Sequence, residues 1–151
     1  MVMARTVLFV CTGNTCRSPM AEAIARGVAR SEPLASPGTT FLSAGVGALD
    51  GDLYSIETRK AVESLGFEPP TGRSRALTAA LVENADAIYV MTRSHERAVL
   101  RLAPAAADRV ELLDPAGEDI PDPIGGSQSR YDQVAVRLKD LITRRLRESS
   151  P

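Results

Sequence analysis

A short apolar run rich in β-branched residues, TVLFV at Thr6–Val10, leads into a cysteine-containing loop and then a Ser-Pro pair. A continuous apolar run of this length fits a strand buried on both faces, the kind found in parallel sheets. Runs with strand character recur at TTFLSAG, DAIYVMT and RVELL. Between them lie the helix-like stretches MAEAIARGVAR, SIETRKAVESLG, LTAALVENA and SHERAVLRLAP, and a last helix is expected from about Ser129 to Glu148. In that helix Val134, Leu138, Leu141 and Ile142 keep the 3.6-residue period. Ser18 and Pro19 read as N-cap and first helical residue of the first helix, Gly66 as the stop of the second, Ser94 as a cap and Pro104 as a terminator. Strands that alternate with helices predict an α/β fold with a four-stranded parallel sheet covered by helices on both faces. The chain is 151 residues long and 44% hydrophobic, which suits a single domain over 1–151 with one core.

In open α/β sheets, ligands bind at the carboxyl ends of the strands. The loop after the first strand, Cys11-Thr12-Gly13-Asn14-Thr15-Cys16-Arg17-Ser18-Pro19, therefore marks a candidate site, and it holds both cysteines of the chain. Three uses compete: a disulfide, half a metal site, or a nucleophile with an anion cradle. A net charge of −1 and the lack of a basic field point away from nucleic acid. No apolar run is long enough to span a membrane, and the start MVMARTVLFVC carries no signal-peptide pattern, so the expected compartment is the cytoplasm, where thiols stay reduced. A structural zinc site wants four ligands, and beyond the two cysteines there is only one histidine, His95. A nucleotide-binding P-loop would need a Gly-Lys-Ser/Thr ending, which is missing. Two buried cysteines acting only as small hydrophobes remain a bland alternative.

The chemistry of the loop favours the nucleophile. Free N–H groups and the positive dipole end of a helix attract anions. Gly13 and Asn14 tolerate left-handed backbone angles, so successive N–H groups can curl into a nest. Arg17 adds a planar, permanently charged fork. The same surroundings are expected to favour a thiolate at Cys11. A sulfur nucleophile facing an oxyanion cradle suits attack at phosphorus.

The stretch CTGNTCRSPMAE resembles the signature loop of the low-molecular-weight protein tyrosine phosphatase family, Cys-x5-Arg-Ser with an inner cysteine. FLSAG after the first helix, LT before DAIYVMTRSH, and DPIGG ahead of the last helix extend the resemblance along the chain. It implies a phosphotyrosine phosphatase I-like fold and a metal-free, cofactor-free enzyme. It implies that Cys11 is the nucleophile that becomes phosphocysteine and that Arg17 clamps the phosphoryl oxygens. Ser18 would hydrogen-bond the thiolate, Asn14 would hold the loop in shape, and Thr12, Gly13, Thr15 and Cys16 would complete the cradle. Cys16 would also form a reversible disulfide with Cys11 under oxidation.

A proton must reach the leaving group. Asp114 and Asp122 are each followed by proline, and Asp-Pro often only starts a turn. DPIGGS matches the family's acid loop, so Asp122 is the expected acid and Asp114 a turn residue. Tyrosine-specific members carry an aliphatic residue before the inner cysteine, whereas arginine-specific members carry Thr, as here at Thr15, with Gly-Gly-Ser in the acid loop, as at Gly125–Ser127. The chain departs from the arginine type at Ile124, where those members carry Phe. Phosphoarginine is the expected substrate, with phosphotyrosine as the alternative. Arsenate reduction needs relay cysteines that the chain lacks, and a phosphate-binding module needs neither Cys11 nor Asp122. Phosphorylated proteins are the expected partners, and a monomer or weak dimer the expected state. The loop through Leu49–Tyr54 is expected to border the pocket, and Arg73 and Arg75 have two readings, as phosphoprotein contacts or as solvated side chains. His95 reads as a solvated cap neighbour and the RRLRE ending as a solvated helix face.

Overall fold

The computed structural model describes residues 5–35 and 38–149. The expected order of elements is present: β1 (Thr6–Cys11), α1 (Arg17–Ser31), β2 (Thr40–Gly45), α2 (Ile56–Ser64), α3 (Ala79–Asn84), β3 (Ala87–Val90), α4 (Arg93–Leu102), β4 (Val110–Leu112) and α5 (Gln128–Ser149). A 3₁₀ turn over Pro104–Arg109, which the sequence pattern did not suggest, links α4 to β4. The four strands are all parallel, in the order β2-β1-β3-β4.

β1 is central, so both of its faces must be covered. Its side chains alternate with the period of two that a strand imposes. Val7, Phe9 and Cys11 enter a cluster with Met20 and Ile24 of α1, Val62 of α2 and Leu138 and Ile142 of α5. Leu8 and Val10 enter the opposite cluster with Val82 of α3, Val99 of α4 and Ala106. The chain passes from β1 to β2 on one side and then crosses to β3 on the other. This reversal makes the carboxyl end of β1 a topological switch point, where a crevice opens between oppositely directed connections. The Cys11–Arg17 loop starts there.

Several ends differ from the sequence expectation. α1 begins at Arg17 with Cys16 as its cap, so Ser18 is inside the first turn and Pro19 is its third residue. Pro19 costs no hydrogen bond there, because N–H groups in the first turn have no helical partner. Thr92, not Ser94, caps α4 by accepting from the His95 amide at 3.2 Å. Gly66 does follow α2, in a left-handed conformation at φ 83°. The RRLRE ending is not simply solvated: Arg145 is largely buried, donates to the Leu113 carbonyl at 3.1 Å and lies over the Tyr89 ring. Its guanidinium thereby ties α5 to the end of β4.

β2 ends at Gly45, whose amide and carbonyl both engage the segment carrying Arg75 and Leu77. A Cβ at Gly45 would sit against the Thr12 carbonyl oxygen and 2.9 Å from the Asn14 amide nitrogen. Both obstacles are backbone, so neither can swing away. Gly45→Ala is expected to cost about 1–3 kcal/mol through overpacking and to distort the cysteine loop. Urea unfolding of the variant checks this, and a stability equal to wild type would refute it.

Candidate active site

The loop is curled by one residue. Asn14 takes φ 52°, the left-handed region, while Gly13 does not. Asparagine accepts this conformation more readily than other side chains because its amide can bond locally. Here it bonds in three directions from a fully buried position. Its Nδ2 donates to Ser18 Oγ at 2.8 Å and to Ser43 Oγ at 2.9 Å, and its Oδ1 accepts from the Arg75 amide at 2.8 Å. Ser43 in turn donates to Glu22 Oε1 at 3.0 Å, and Glu22 pairs with Arg26 at 2.6 Å. Loop, β2 and α1 are thus joined through one amide.

Cys11 Sγ lies 2.8 Å from Ser18 Oγ. The amides of Ser18 and Asn14 also point at the sulfur, and Arg17 adds a positive field. These groups favour the thiolate, yet burial outweighs them, and the Cys11 thiol is pushed up from its ordinary value. The expectation of a lowered thiol pKa is therefore corrected: the donors are present, but a fully desolvated sulfur pays more than they return. Cys11 and Cys16 are both free thiols.

Arg17 is buried, and its fork has three anchors. Nη1 donates to the Ile120 carbonyl at 2.8 Å, Nη2 donates to Thr12 Oγ1 at 3.4 Å, and Nη2 lies 3.5 Å from Asp122 Oδ2. Asp122 is exposed, and its other oxygen accepts from the Ile124 amide at 3.1 Å. Asp122 therefore both turns its own loop and reaches the arginine. Asp114 turns its own loop in the same way but is paired with Arg137 instead of Arg17. It is held by Arg137 at 2.7 Å and by the Ala116 amide, and Arg137 keeps its carboxyl below the usual range.

The segment 46–58 is stitched to the cysteine loop. The Val46 amide donates to the Cys11 carbonyl, that of Gly47 to Thr12, and that of Ser55 to Thr15. Thr15 is half-buried, with its hydroxyl 3.7 Å from Cys16 Sγ. Leu49, Leu53 and Ile56 on this segment, and Ile124 beside Asp122, are exposed apolar side chains. Arg73 donates to the Gly51 carbonyl, and Arg75 serves through its backbone amide.

Four residues at the site were not found from the sequence: Ser43, Ser55, Tyr131 and the buried His95. Tyr131 lies beneath the loop, with its hydroxyl 3.5 Å from Cys16 Sγ, and burial raises its pKa to about 12. Only Ser43, a hydroxyl amid Phe41, Leu42 and Ala44 of β2, carries a signal, because a buried strand hydroxyl requires a partner. His95 corrects an expectation. It is 3% exposed rather than solvated, and its Nε2 lies 2.8 Å from Thr12 Oγ1. Among the described residues, no three His, Cys, Asp or Glu side chains converge as metal ligands would, and no helix is long and apolar enough to cross a membrane.

A sulfur ringed by N–H groups, beside a buried guanidinium and a carboxylate on a separate loop, matches one known set of proteins. The family described as low molecular weight phosphotyrosine protein phosphatase matches residues 6–149. This chain belongs to that family. Membership makes it a cysteine-based protein phosphatase, a hydrolase. The protein-arginine-phosphatase of Bacillus subtilis is 37% identical over 90% of this chain and 91% of its own. A probable low molecular weight protein-tyrosine-phosphatase, EpsP, of Ralstonia solanacearum is 36% identical over 91% of this chain and 90% of its own. Among solved structures, a YwlE arginine phosphatase mutant with a phosphorylated active-site serine superposes with a TM-score of 0.87 at 31% identity, covering 95% of this chain and 94% of that one.

Two measurements check the electrostatics of the site. Ser18→Ala is expected to push the Cys11 thiol higher still, seen as an upward shift in the pH dependence of Cys11 alkylation by iodoacetamide; an unchanged midpoint would refute the role of the hydroxyl. Burial and Arg17 lower the His95 pKa to about 4 from its ordinary value of 6.5. Above pH 6.5 the imidazole is neutral in both folded and unfolded chains. Between 6.5 and about 4 only the unfolded chain takes the proton, so stability falls with pH, at most by about 1.4 kcal/mol per unit. Wild type is expected to lose more stability than His95→Gln between pH 7 and 4.5 in thermal melts, and parallel losses would contradict this.

Proposed function

We propose that this chain is a protein-arginine phosphatase that works through a phosphocysteine on Cys11. Cys11 reacts as the thiolate that Ser18, the loop N–H groups and Arg17 stabilise. Its sulfur attacks phosphorus as the P–N bond breaks, and protonated Asp122 gives its proton to the departing guanidine nitrogen. Asp122, now a carboxylate, takes a proton from water as that water attacks the phosphocysteine, which frees inorganic phosphate and restores the thiolate. Arg17 and the N–H groups of Thr12 through Ser18 hold the equatorial oxygens, where phosphoryl transfer gains most of its catalysis. Cys16 is read as the reversible disulfide partner that protects Cys11 under oxidation. The reading takes 1–151 as one phosphatase domain, cytoplasmic, a monomer or weak dimer, with phosphorylated proteins as substrates.

The observation that carries the arginine specificity is Thr15. Its hydroxyl, beside Cys16 on the loop, offers a polar group where a branched alkyl side chain would favour an aromatic ring. The 37% identity to a protein-arginine-phosphatase supports the same choice. Tyrosine specificity is the second reading, favoured by the exposed apolar Leu49, Leu53, Ile56 and Ile124 on the two flanking segments, which suit a phenol ring. Tyr131 lends no support to it, being buried beneath Cys16.

Purified protein offered phosphoarginine and phosphotyrosine peptides in parallel should show the higher kcat/KM on phosphoarginine. Thr15→Ile should move the ratio toward phosphotyrosine by about tenfold or more, the scale on which one pocket group discriminates. A wild-type preference for phosphotyrosine overturns the arginine reading, and no turnover of either overturns the phosphatase reading.

A further inference from the structure

We infer that His95 is a positioning residue for the reaction, acting through the hydroxyl of Thr12 on the fork of Arg17. The inference rests on the reading above, in which Arg17 holds the phosphoryl group. Three observations support it. His95 comes from the first turn of α4, 83 residues along the chain, and its ring nitrogen reaches Thr12 Oγ1 at 2.8 Å. Thr12 Oγ1 is also within 3.4 Å of Arg17 Nη2. The other ring nitrogen, Nδ1, is buried and has no hydrogen-bond partner among the described residues.

These facts fix the direction of the bonds. Arginine can only donate, so Thr12 Oγ1 accepts from Arg17. A neutral imidazole has one N–H. If Nδ1 carried it, a buried donor would be left unpaired, and orphaned buried N–H groups are rarer than under-used acceptors. The proton therefore sits on Nε2 and is donated to Thr12. With both lone pairs of Oγ1 engaged, the Thr12 hydroxyl proton is left to point away from His95 and Arg17. Thr12 is exposed at the mouth of the loop, so that proton faces whatever oxyanion the loop holds. His95 thus sets the rotamer of Thr12. Thr12 in turn steadies the second arm of a guanidinium whose first arm is fixed by the Ile120 carbonyl.

A merely structural histidine would affect folding but would not couple to Thr12 in turnover. Thr12→Val and His95→Leu are each expected to lower kcat/KM about tenfold, the worth of one hydrogen bond to a charged group. The double variant should be no worse than either single change, because both break the same chain. Thr12→Ser and His95→Gln, which keep a hydroxyl and place an amide N–H near the Nε2 position, should retain most activity. Affinity for inorganic phosphate, measured by calorimetry, should fall in the same pattern. It tests the inference even if the wild type fails to turn over phosphoarginine or phosphotyrosine, a failure that would count against the proposed function alone. Should His95→Leu not fold, His95→Asn, whose shorter amide falls back from Thr12, replaces it in the cycle. An unchanged kcat/KM in the His95 variant, or a double variant whose losses multiply to about a hundredfold, overturns the coupling.

Discussion

The side chain of Asn14 is the joint on which the site depends. An anion cradle requires successive N–H groups to converge, and convergence requires one residue in a left-handed conformation. Such a conformation persists only where the surroundings determine it. Asn14 meets this need by giving both donors and its acceptor to fixed partners: Ser18 in α1, Ser43 in β2 and the backbone at Arg75. Because the amide is fully buried, each missing partner would leave an unsatisfied polar group at a cost of about 1–3 kcal/mol. The loop is therefore shaped by the fold around it, and three segments far apart in sequence must be in register before it closes.

That closure creates an electrostatic tension at the sulfur. The curl that brings donors onto Cys11 also buries the sulfur, and that burial raises the thiol. Charge on the sulfur is thus left dependent on a small number of oriented groups, with Ser18 the nearest of them. Low-dielectric surroundings make each such dipole count for more than it would in water. The same burial keeps His95 neutral, which fixes the number of protons its ring has to offer.

Much of the frame was legible in the sequence because strand and helix periods differ so clearly. TVLFV, DAIYV and the 3.6-residue period of α5 needed no tertiary information, while the expectation of Asp122 rather than Asp114 as the acid came from the family likeness of DPIGGS. What stayed hidden was set by contacts between distant segments. Ser18 looks like a cap locally, yet it turns toward Cys11 and Asn14, and the helix starts at Arg17 instead. His95 follows a capping threonine, where side chains are usually wet, but α4 packs so that this first turn faces the loop 83 residues away. Arg145 sits in a charged tail, and only the end of β4 gives its fork carbonyls to bind. Tyr131 carries no motif at all, since its place under the loop exists only once α5 brings it there.

The buried fork of Arg17 has a consequence for how variant kinetics are to be read. One arm grips the Ile120 carbonyl, two residues ahead of Asp122, and the other lies beside the Asp122 carboxylate. Under the proposed mechanism, a neutral replacement at Arg17 removes a charge from the cradle and also unmoors the loop that carries Asp122. The rate lost in such a variant is then a composite of two failures, and it overstates what the guanidinium charge alone contributes. Groups that act as one unit do not have separable energies, and in this fold Arg17 and Asp122 are joined as such a unit.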